Sequence, residues 1–374
     1  MSALSVIDNR MEQMNLRVRP VANHEKYLKH NKNLLKKRKQ PRFGVCFDVD
    51  GVLARGTIPF KQAVEGLRKL TDEKGELKVP VTFVTNALNR NIDKANQISG
   101  WLGIPISPSQ LVQAQGPLEV FKEFHDKFCL IIGQGKILDI ARELGFKNTC
   151  TLDQIIDAYP LLDMINHDNR RRIATEGYVE KEFPRVEEAL YKKVTGKPLV
   201  YTSLIGKPSE ITMRFAEHCL SREAKKLNYE EPLKRMYLIG DTPEVDMVGA
   251  NLYQRYINRL RDRQQKLIDT NSTTSAKDIY ARETYDPELP ESRQIPEEAA
   301  LSKQTVDQID GLLVCTGVYK PGQLDEEDGD EKNYQGHRDF PRITELYKPA
   351  HTFQDVNEAI DYILDKENFH PAQI

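Results

Sequence analysis

The sequence predicts an α/β protein whose core is Rossmann-like, with three layers in which helices cover both faces of a parallel sheet. Short apolar runs of strand length alternate along the chain with segments in which apolar residues recur at helical spacing. Several of these runs end in glycine or in polar residues, and the carboxyl ends of parallel strands are where such sheets bind ligands. With 374 residues, the chain is long enough for a second domain beside this core.

The predicted elements begin with a β-α-β unit. An apolar run at 43–47 predicts the first strand, helical spacing at 62–70 predicts the first helix, and the run at 79–86 predicts the second strand. The alternation then continues through a helix at 92–102, a strand at 129–135, a helix at 137–144, a strand at 199–201, a helix at 209–220, and strands at 235–240 and 311–316. This order predicts parallel strands joined by helical crossovers.

The composition predicts a protein with no specific nucleic-acid partner and no membrane span. The formal net charge is -2 at pH 7, which gives no overall field that would attract nucleic acid. No apolar stretch approaches the roughly 20 residues that a membrane-spanning helix needs. The 5 cysteines are scattered without a C-x-x-C pair, so we predict reduced thiols rather than a disulfide framework or a zinc site.

Two segments differ from the rest in composition. Residues 1–42 carry eleven Lys and Arg against three acidic residues, which predicts a basic N-terminal arm or a targeting segment. We interpret it as a mitochondrial targeting segment, with a cytoplasmic protein as the alternative. A solvated tail, or a patch at 36–39 for acidic lipids or nuclear import, would have a similar composition. Residues 267–303 are polar and rich in Pro, Ser, Thr and Glu, which predicts a mobile insertion in the core.

Asp48 and Asp50 lie two residues apart where the first predicted strand meets Gly51. Two neighbouring carboxylates repel one another unless a cation or a shared proton relieves the repulsion, which favours a hard metal ion such as Mg²⁺. The alternative is structural, with one aspartate capping a helix and the other exposed to water.

Two more polar clusters carry groups that suit a phosphate. Thr85 and Asn86 end the second predicted strand and offer a hydroxyl, an amide and backbone donors. Lys207, in the sequence GKPS at 206–209, would bring a positive charge to a phosphate and a carboxylate. Taken singly, each cluster is also typical of an ordinary turn or helix start.

The loop after the strand at 235–240 carries further acids. Asp241 and Asp246 are separated by four residues, a spacing that suits a metal ligand and a carboxylate that supports it. In chain order, the patterns D-x-D-G, Thr-Asn after a strand, G-K-P and G-D-x-x-x-x-D together resemble the four motifs of the haloacid dehalogenase superfamily of phosphohydrolases. The resemblance extends from about residue 43 to about residue 363.

The resemblance implies a role for each acid and for the lysine. Asp48 would be the nucleophile that forms an aspartyl-phosphate, and Asp50 would be the general acid and base. Lys207 would neutralise the charge shared between Asp48 and the phosphate. Mg²⁺, the implied cofactor, would be bound by Asp48, by Asp50 through its main-chain carbonyl and by Asp241, with Asp246 supporting the site.

The phosphoryl group of the substrate has its own implied contacts. Thr85, Asn86 and Arg90 would hold its oxygens, and Arg90 matches a basic position that follows the second motif in related sequences. Members of the subclass that this chain resembles often have a second Asn and a Ser after the Thr-Asn pair, where this chain has Ala87 and Leu88. This departure removes two polar groups from the rim of the phosphate site.

The spacing of the motifs resembles subclass IIA of the superfamily. The first two motifs are 37 residues apart, which leaves room for one helix and one strand, whereas the second and third are 122 residues apart. The longer interval implies an inserted α/β cap domain of the C2 type at 106–200, with the core formed by 43–105 and 201–374. FDVDGVL at 47–53, PLLDM at 160–164 and LVCTGVY at 313–319 further resemble the branch named for the cat-eye-syndrome critical region.

These resemblances predict a Mg²⁺-dependent phosphohydrolase that acts on a small phosphorylated metabolite selected by the cap. Members of that branch are described as mitochondrial hydrolases, with a link to glycerophospholipid metabolism. One alternative is a phosphotransferase, because an aspartyl-phosphate can pass its phosphoryl group to an acceptor other than water. Another is a non-catalytic binding or scaffold protein that retains the fold. The sequence is also compatible with a homodimer.

Overall fold

The computed structural model describes residues 40–158, 205–269, 301–321 and 343–371, together with Arg171 and Thr175. Several predicted features lie outside these residues, either wholly or in large part. They are the N-terminal arm before residue 40, the part of the predicted cap after residue 158 apart from Arg171 and Thr175, the strand at 199–201 and residues 270–300 of the predicted insertion.

The described strands have the following bounds, in chain order: β1 Phe43–Phe47, β2 Ala54–Arg55, β3 Ile58–Pro59, β4 Val81–Thr85, β5 Leu111–Gln113, β6 Phe128–Ile131, β7 Asn148–Thr151, β8 Arg235–Gly240, β9 Gln308–Val314 and β10 His351–Phe353.

The described α-helices are α1 Lys61–Arg68, α2 Asn91–Leu102, α3 Lys122–His125, α4 Ile137–Glu143, α5 Leu152–Ala158, α6 Glu210–Lys226, α7 Val248–Asp269, α8 Thr344–Tyr347 and α9 Val356–Glu367. Short 3₁₀ turns lie at Pro108–Gln110 and Gly116–Val120, and a π-helical turn at Pro243–Met247 leads into α7.

Six of the strands form one parallel sheet, in the order β10-β9-β8-β1-β4-β5. This confirms the predicted α/β class. Every residue of β1 and β4 is buried, as expected for central strands of a sheet covered on both faces. In β1, Phe47 lies opposite Ile239 of β8 and Phe83 of β4, so these three strands end close together at their carboxyl edge.

Helices pack on both faces of this sheet, which gives the predicted three layers. On one face, α1, α2 and α9 enclose an apolar core that includes Phe47, Phe83 and Ile239. On the other face, α6 and α7 enclose a core that includes Val84 and Leu238. Alternate residues of the same strands therefore face opposite layers, because successive side chains of a strand point to opposite sides of the sheet.

Two strands depart from the sequence prediction. β5 lies within 106–200, the range assigned to the cap, yet Leu111–Gln113 pairs with β4 and forms an edge of the main sheet. Its three residues are too few to produce a recognisable apolar run. β9 begins at Gln308, before the predicted start at 311, because it pairs with β8 from Gln308 onward. Asp310 is buried in this strand and accepts hydrogen bonds from Lys366 and Gln308. Because Gln308 and Asp310 are polar, the first residues of β9 do not form an apolar run, and the sequence pattern did not predict them as part of the strand.

The other small sheets lie apart from the main one. β6 and β7 form a two-stranded parallel sheet inside the predicted cap range, with its own apolar cluster around Ala141 and Phe146. β2 and β3 form a two-stranded antiparallel hairpin just after β1. The separation of β6 and β7 from the six-stranded sheet is what an inserted domain would produce, and the limits of that domain stay a prediction.

The sequence also predicted reduced cysteines and no membrane-spanning helix. The five cysteines are free thiols, and Cys46, Cys150 and Cys219 are buried. Among the helices that the structure describes, none combines the length and the apolar character that crossing a membrane requires.

Candidate active site

The candidate site lies at the carboxyl edge of the three central strands. Asp48 follows β1, Thr85 ends β4 and Asp241 follows β8. Since β1 lies between β8 and β4 in a parallel sheet, these residues reach the same edge. The sheet topology therefore brings together three of the four motifs that were separate in the sequence.

Three carboxylates form a compact group at this edge. An oxygen of Asp48, one of Asp241 and one of Asp246 all lie within 4.8 Å of one another. Their residues are only 7%, 2% and 0% exposed, respectively. Asp246, predicted to support the site from farther away, belongs to this group, because the π-helical turn at Pro243–Met247 turns its side chain back toward β8.

Lys207 is the cation that faces this group. Its Nζ lies 2.6 Å from Asp48 Oδ1 and 2.7 Å from Asp246 Oδ1. The lysine is only 6% exposed. Burial opposes its charge, yet the Asp246 and Asp48 carboxylates raise its pKa above the ordinary value, so Lys207 is protonated at neutral pH. The structure thus brings the G-K-P segment to the two aspartates from more than a hundred residues away in sequence.

The balance of charge in the group suits a divalent cation. Burial raises the pKa of Asp48, as does repulsion from Asp246, while Lys207 acts in the opposite direction. Burial and the charge of Asp246 raise the pKa of Asp241 as well. Among the described residues, three carboxyl groups face one lysine here, and buried negative charge is costly unless a cation pairs with it. Because Mg²⁺ prefers oxygen ligands, above all carboxylates, this donor set fits Mg²⁺.

Backbone donors fix the orientation of each carboxylate. Asp48 Oδ1 accepts a hydrogen bond from the Val49 N–H at 2.7 Å. Asp246 Oδ2 accepts one from the Thr242 N–H at 3.1 Å, and Asp241 Oδ2 accepts one from the Val318 N–H at 2.7 Å. Residue type does not encode backbone donors, so motif analysis of the sequence missed the contribution of Val318.

The side chain of Asn86 does not point toward the carboxylates in the way that a predicted phosphate ligand would. Its Oδ1 accepts a hydrogen bond from the Lys207 N–H at 2.7 Å, and its Nδ2 donates to the Lys207 carbonyl at 3.0 Å. Both polar atoms of the amide therefore bind the backbone of Lys207. Its geometry indicates that Asn86 positions the lysine, which leaves its backbone as the group that could face a phosphate.

Thr85 and Asp50 occupy different environments at the same edge. Thr85 is 3% exposed, and its Oγ1 accepts a hydrogen bond from the Ala87 N–H at 3.1 Å. Its hydroxyl proton remains a donor for an anion. Asp50 is exposed, and its carboxylate is not one of the three grouped ones. The predicted metal contact of Asp50 was through its main-chain carbonyl, so its exposed side chain does not conflict with that prediction.

Arg90, the third predicted phosphate ligand, is engaged elsewhere. Its Nε lies 2.5 Å from Glu143 Oε1 on α4, in the range predicted as the cap. The two side chains are 37% and 39% exposed, and exposed ion pairs contribute little to stability. Arg90 therefore links the loop after β4 with α4 in this structure and is not grouped with the carboxylates.

A family model matches the part of the chain that contains the first two motifs. Residues 45–147 match the family described as haloacid dehalogenase-like hydrolase. The match begins within β1 and extends through β4 to the segment between α4 and β7.

Two curated proteins are similar to this chain. A cardiolipin synthase (CMP-forming)/mitochondrial hydrolase fusion protein of Schizosaccharomyces pombe is 39% identical over 293 residues, a match that covers 58% of this chain and 48% of that protein. The chain thus spans about half the length of that relative. A mitochondrial hydrolase of Saccharomyces cerevisiae is 21% identical over 307 residues, which covers 57% of this chain and 85% of that protein.

Among solved structures, the p-nitrophenyl phosphatase from Archaeoglobus fulgidus is similar to this chain. The match covers 87% of this chain and 100% of the phosphatase. The sequence identity is 16% and the TM-score is 0.44.

Proposed function

We propose that this chain is a haloacid dehalogenase-like hydrolase and, more specifically, a Mg²⁺-dependent phosphatase that cleaves a small phosphate monoester. The observation that carries the proposal is the buried group of Asp48, Asp241 and Asp246 around Lys207. A nucleophilic carboxylate beside a fixed cation is what phosphoryl transfer needs, because its transition state places charge on the phosphoryl oxygens.

In the proposed reaction, a carboxylate oxygen of Asp48 forms a bond to phosphorus while the bond from phosphorus to the ester oxygen breaks. Asp50 gives its proton to the leaving oxygen. Asp50 then takes a proton from water, and the oxygen of that water displaces Asp48 from phosphorus to release inorganic phosphate. The aspartyl-phosphate on Asp48 is thus formed and hydrolysed, and Asp50 returns to its protonated form.

Lys207 and Asn86 would keep the nucleophile in place during these steps. Lys207 holds Asp48 at 2.6 Å and is itself held through its backbone by Asn86. Thr85 would donate its hydroxyl proton to a phosphoryl oxygen. The carboxylates of Asp48 and Asp241 would bind Mg²⁺, with Asp50 contributing its main-chain carbonyl and Asp246 orienting Lys207. When bound, Mg²⁺ would supply positive charge to the phosphoryl oxygens.

We further propose that the segment within 106–200 that follows β5 is a cap that selects the substrate, and that the enzyme is mitochondrial. The small separate sheet of β6 and β7 supports the first proposal. The names of the two fungal relatives support the second, and one of them joins the hydrolase to a cardiolipin synthase. Phosphate monoesters related to glycerophospholipids are therefore the first substrates to test. Cell fractionation would test the location, and a protein found only in the cytosol would contradict it.

The primary experiment measures hydrolysis of p-nitrophenyl phosphate by the purified chain with and without Mg²⁺. We expect Mg²⁺-dependent hydrolysis by the wild type and none above background by Asp48→Asn. Asp310→Asn is the matched control, since Asp310 is an equally buried aspartate whose partners lie elsewhere, at Lys366 and Gln308. Equal rates for the wild type and Asp48→Asn would refute the proposal. Inactivity across a broad panel of phosphate esters would instead favour the non-catalytic alternative.

A further inference from the structure

Residues 316–319, which we call the β9 loop, contact the candidate site but have no place in the four motifs. The loop follows β9, the strand next to β8, at the carboxyl edge of the main sheet. Thr316 and Gly317 are half-buried, and Tyr319 is buried. The Tyr319 N–H donates to the main-chain carbonyl of Asp241 at 3.0 Å, so the β9 loop is hydrogen-bonded to the first residue after β8.

Two hydrogen bonds join the β9 loop to the turn that follows β1. Thr316 Oγ1 donates to the Gly51 carbonyl at 2.6 Å, and Arg55 Nη2 donates to the Thr316 carbonyl at 3.0 Å. These bonds cross more than 260 residues of sequence. They connect the segment that carries Asp48 and Asp50 with a loop that carries neither a catalytic group nor a predicted metal ligand.

The Asp241 carboxylate lies between these two segments, with Gly51 on one side and Gly317 on the other. We call these two sides the Gly51 wall and the Gly317 wall. A Cβ atom at Gly51 would lie 2.3 Å from Asp241 Oδ2, and a Cβ atom at Gly317 would lie 1.8 Å from it. Both distances are far below van der Waals contact, so only glycine fits on either wall. Gly51 also has a φ of +87°, which favours glycine for a second reason. The Val318 N–H then binds Oδ2 from the side of the β9 loop at 2.7 Å.

The hydroxyl of Thr316 is therefore one of two side-chain groups, with the guanidinium of Arg55, that hold the two walls together, and it is the one that binds Gly51 directly. We propose that Thr316 is a positioning residue, which holds the Gly51 and Gly317 walls together so that Asp241 keeps the orientation needed to bind a divalent cation. The inference rests on the proposed Mg²⁺ site and does not depend on which phosphate ester the protein cleaves.

The test compares Thr316→Val, which removes the hydroxyl with little change of shape, with Thr316→Ser, which retains it. Calorimetric titration of the full chain with Mg²⁺ should give a dissociation constant about tenfold higher for Thr316→Val, the effect expected for one lost hydrogen bond. Thr316→Ser should stay within about twofold of the wild type. Thr352→Val is the matched control, because Thr352 is an exposed threonine on β10, and it should bind Mg²⁺ like the wild type.

A second measurement does not require the metal. Amide hydrogen exchange at Val318 and Tyr319 should be faster in metal-free Thr316→Val than in the wild type, because the loop loses its side-chain bond to Gly51. Thr316→Ser should exchange like the wild type. Unchanged exchange in Thr316→Val, or a loss of Mg²⁺ binding as large in Thr316→Ser as in Thr316→Val, would overturn the role of the hydroxyl.

The outcomes separate this inference from the proposed function. A wild type that binds Mg²⁺ but hydrolyses no phosphate ester would refute the phosphatase and leave the role of Thr316 intact, provided that Thr316→Val binds Mg²⁺ more weakly. A wild type that hydrolyses esters, with Thr316→Val unchanged in Mg²⁺ binding, would refute only the role of Thr316. Thermal unfolding of all variants would identify any that fail to fold.

Discussion

The two edges of the main sheet both carry buried acids beside cations, but their charge balance differs. At the carboxyl edge, Asp48, Asp241 and Asp246 face Lys207, and all four residues are less than a tenth exposed. At the amino edge, Asp310 and Glu367 face Arg235 and Lys366. Among the residues that the structure describes, acids outnumber the cation at the first edge and are matched by cations at the second.

The amino edge also has the more open environment. Arg235 and Lys366 are 30% and 29% exposed at their side chains, and Lys366 Nζ lies 3.0 Å from Asp310. An open cleft of about 810 Å³ lies beside these residues. The candidate site is therefore identified from its buried charges and not from a cleft. In the described part of the chain, buried acids outnumber their cation at the edge with the candidate site, whereas the open cleft lies at the edge where the charges are matched.

The largest expected effect distinguishes the lysines of the two edges. Lys207→Met should lower kcat for p-nitrophenyl phosphate by about 10³-fold, because a fixed cation beside the transferring group is lost. Lys366→Met, the same change at the amino edge, should stay within about twofold of the wild type, because Lys366 pairs with Asp310 far from the nucleophile. A Lys207→Met variant that folds and retains a tenth of the activity would show that the charge imbalance has no catalytic meaning.

The gain in free energy of unfolding that Mg²⁺ gives should depend on the acids of the carboxyl edge and not on those of the amino edge. Mg²⁺ at a hundred times its dissociation constant should raise the free energy of unfolding by about 2.7 kcal/mol, since it binds the folded state. Asp241→Asn should lose most of this gain, whereas Asp310→Asn should keep it. Urea unfolding with Mg²⁺ and with a chelator measures the difference. An equal Mg²⁺ gain in Asp241→Asn and wild type would place the ion elsewhere.

The asparagines of the two edges offer a matched pair with a smaller effect. Asn86 binds the backbone of Lys207, while Asn251 donates to the carbonyls of Leu346 at 2.7 Å and Lys348 at 2.9 Å beside the amino-edge cleft. Asn86→Ala should lower kcat about tenfold, the effect of roughly 1.4 kcal/mol of lost positioning. Asn251→Ala should leave kcat unchanged. If KM rises in Asn86→Ala while kcat is unchanged, Asn86 binds substrate as the sequence predicted.

The smallest expected effect concerns His218 on α6, away from both edges. It is a dependence of the free energy of unfolding on pH. Burial, helped by the nearby Arg222, lowers the pKa of His218 from 6.5 to about 4. As the pH falls below 6.5, the unfolded chain takes up this proton before the folded chain does, so the folded state loses stability until about pH 4. His218→Gln should therefore show a shallower loss between pH 7 and pH 5, measured by urea unfolding. An unchanged slope would contradict the lowered pKa.

Much of the fold could be predicted from the sequence, and so could the residues that the structure groups in the candidate site. The strands β1, β4 and β8 are buried on both faces and therefore appear as continuous apolar runs, each followed by its polar residues. Asp48, Lys207 and Asp241 are recognisable because their motifs occur together in the order that resembles the haloacid dehalogenase superfamily.

The remaining features depend on geometry that residue types do not specify. The three-residue strand β5 joins the main sheet through backbone pairing, and Val318 contributes only its N–H. Asn86 has the right chemistry for a phosphate, yet its amide matches the backbone of Lys207 equally well, and only the folded loop decides between them. The inclusion of Asp246 in the carboxylate group similarly depends on the π-helical turn before α7.

The central claim is that Asp48 is the nucleophile of a phosphatase, and trapping of the phosphorylated enzyme tests it most directly. The wild-type chain would be mixed with p-nitrophenyl phosphate and Mg²⁺, quenched in acid within one turnover and analysed by peptide mass spectrometry. The account predicts phosphate on the peptide at Asp48, at a level that falls when Mg²⁺ is chelated, and none in Asp48→Asn. Hydrolysis that continues in Asp48→Asn, or phosphate found on a different residue, would contradict it.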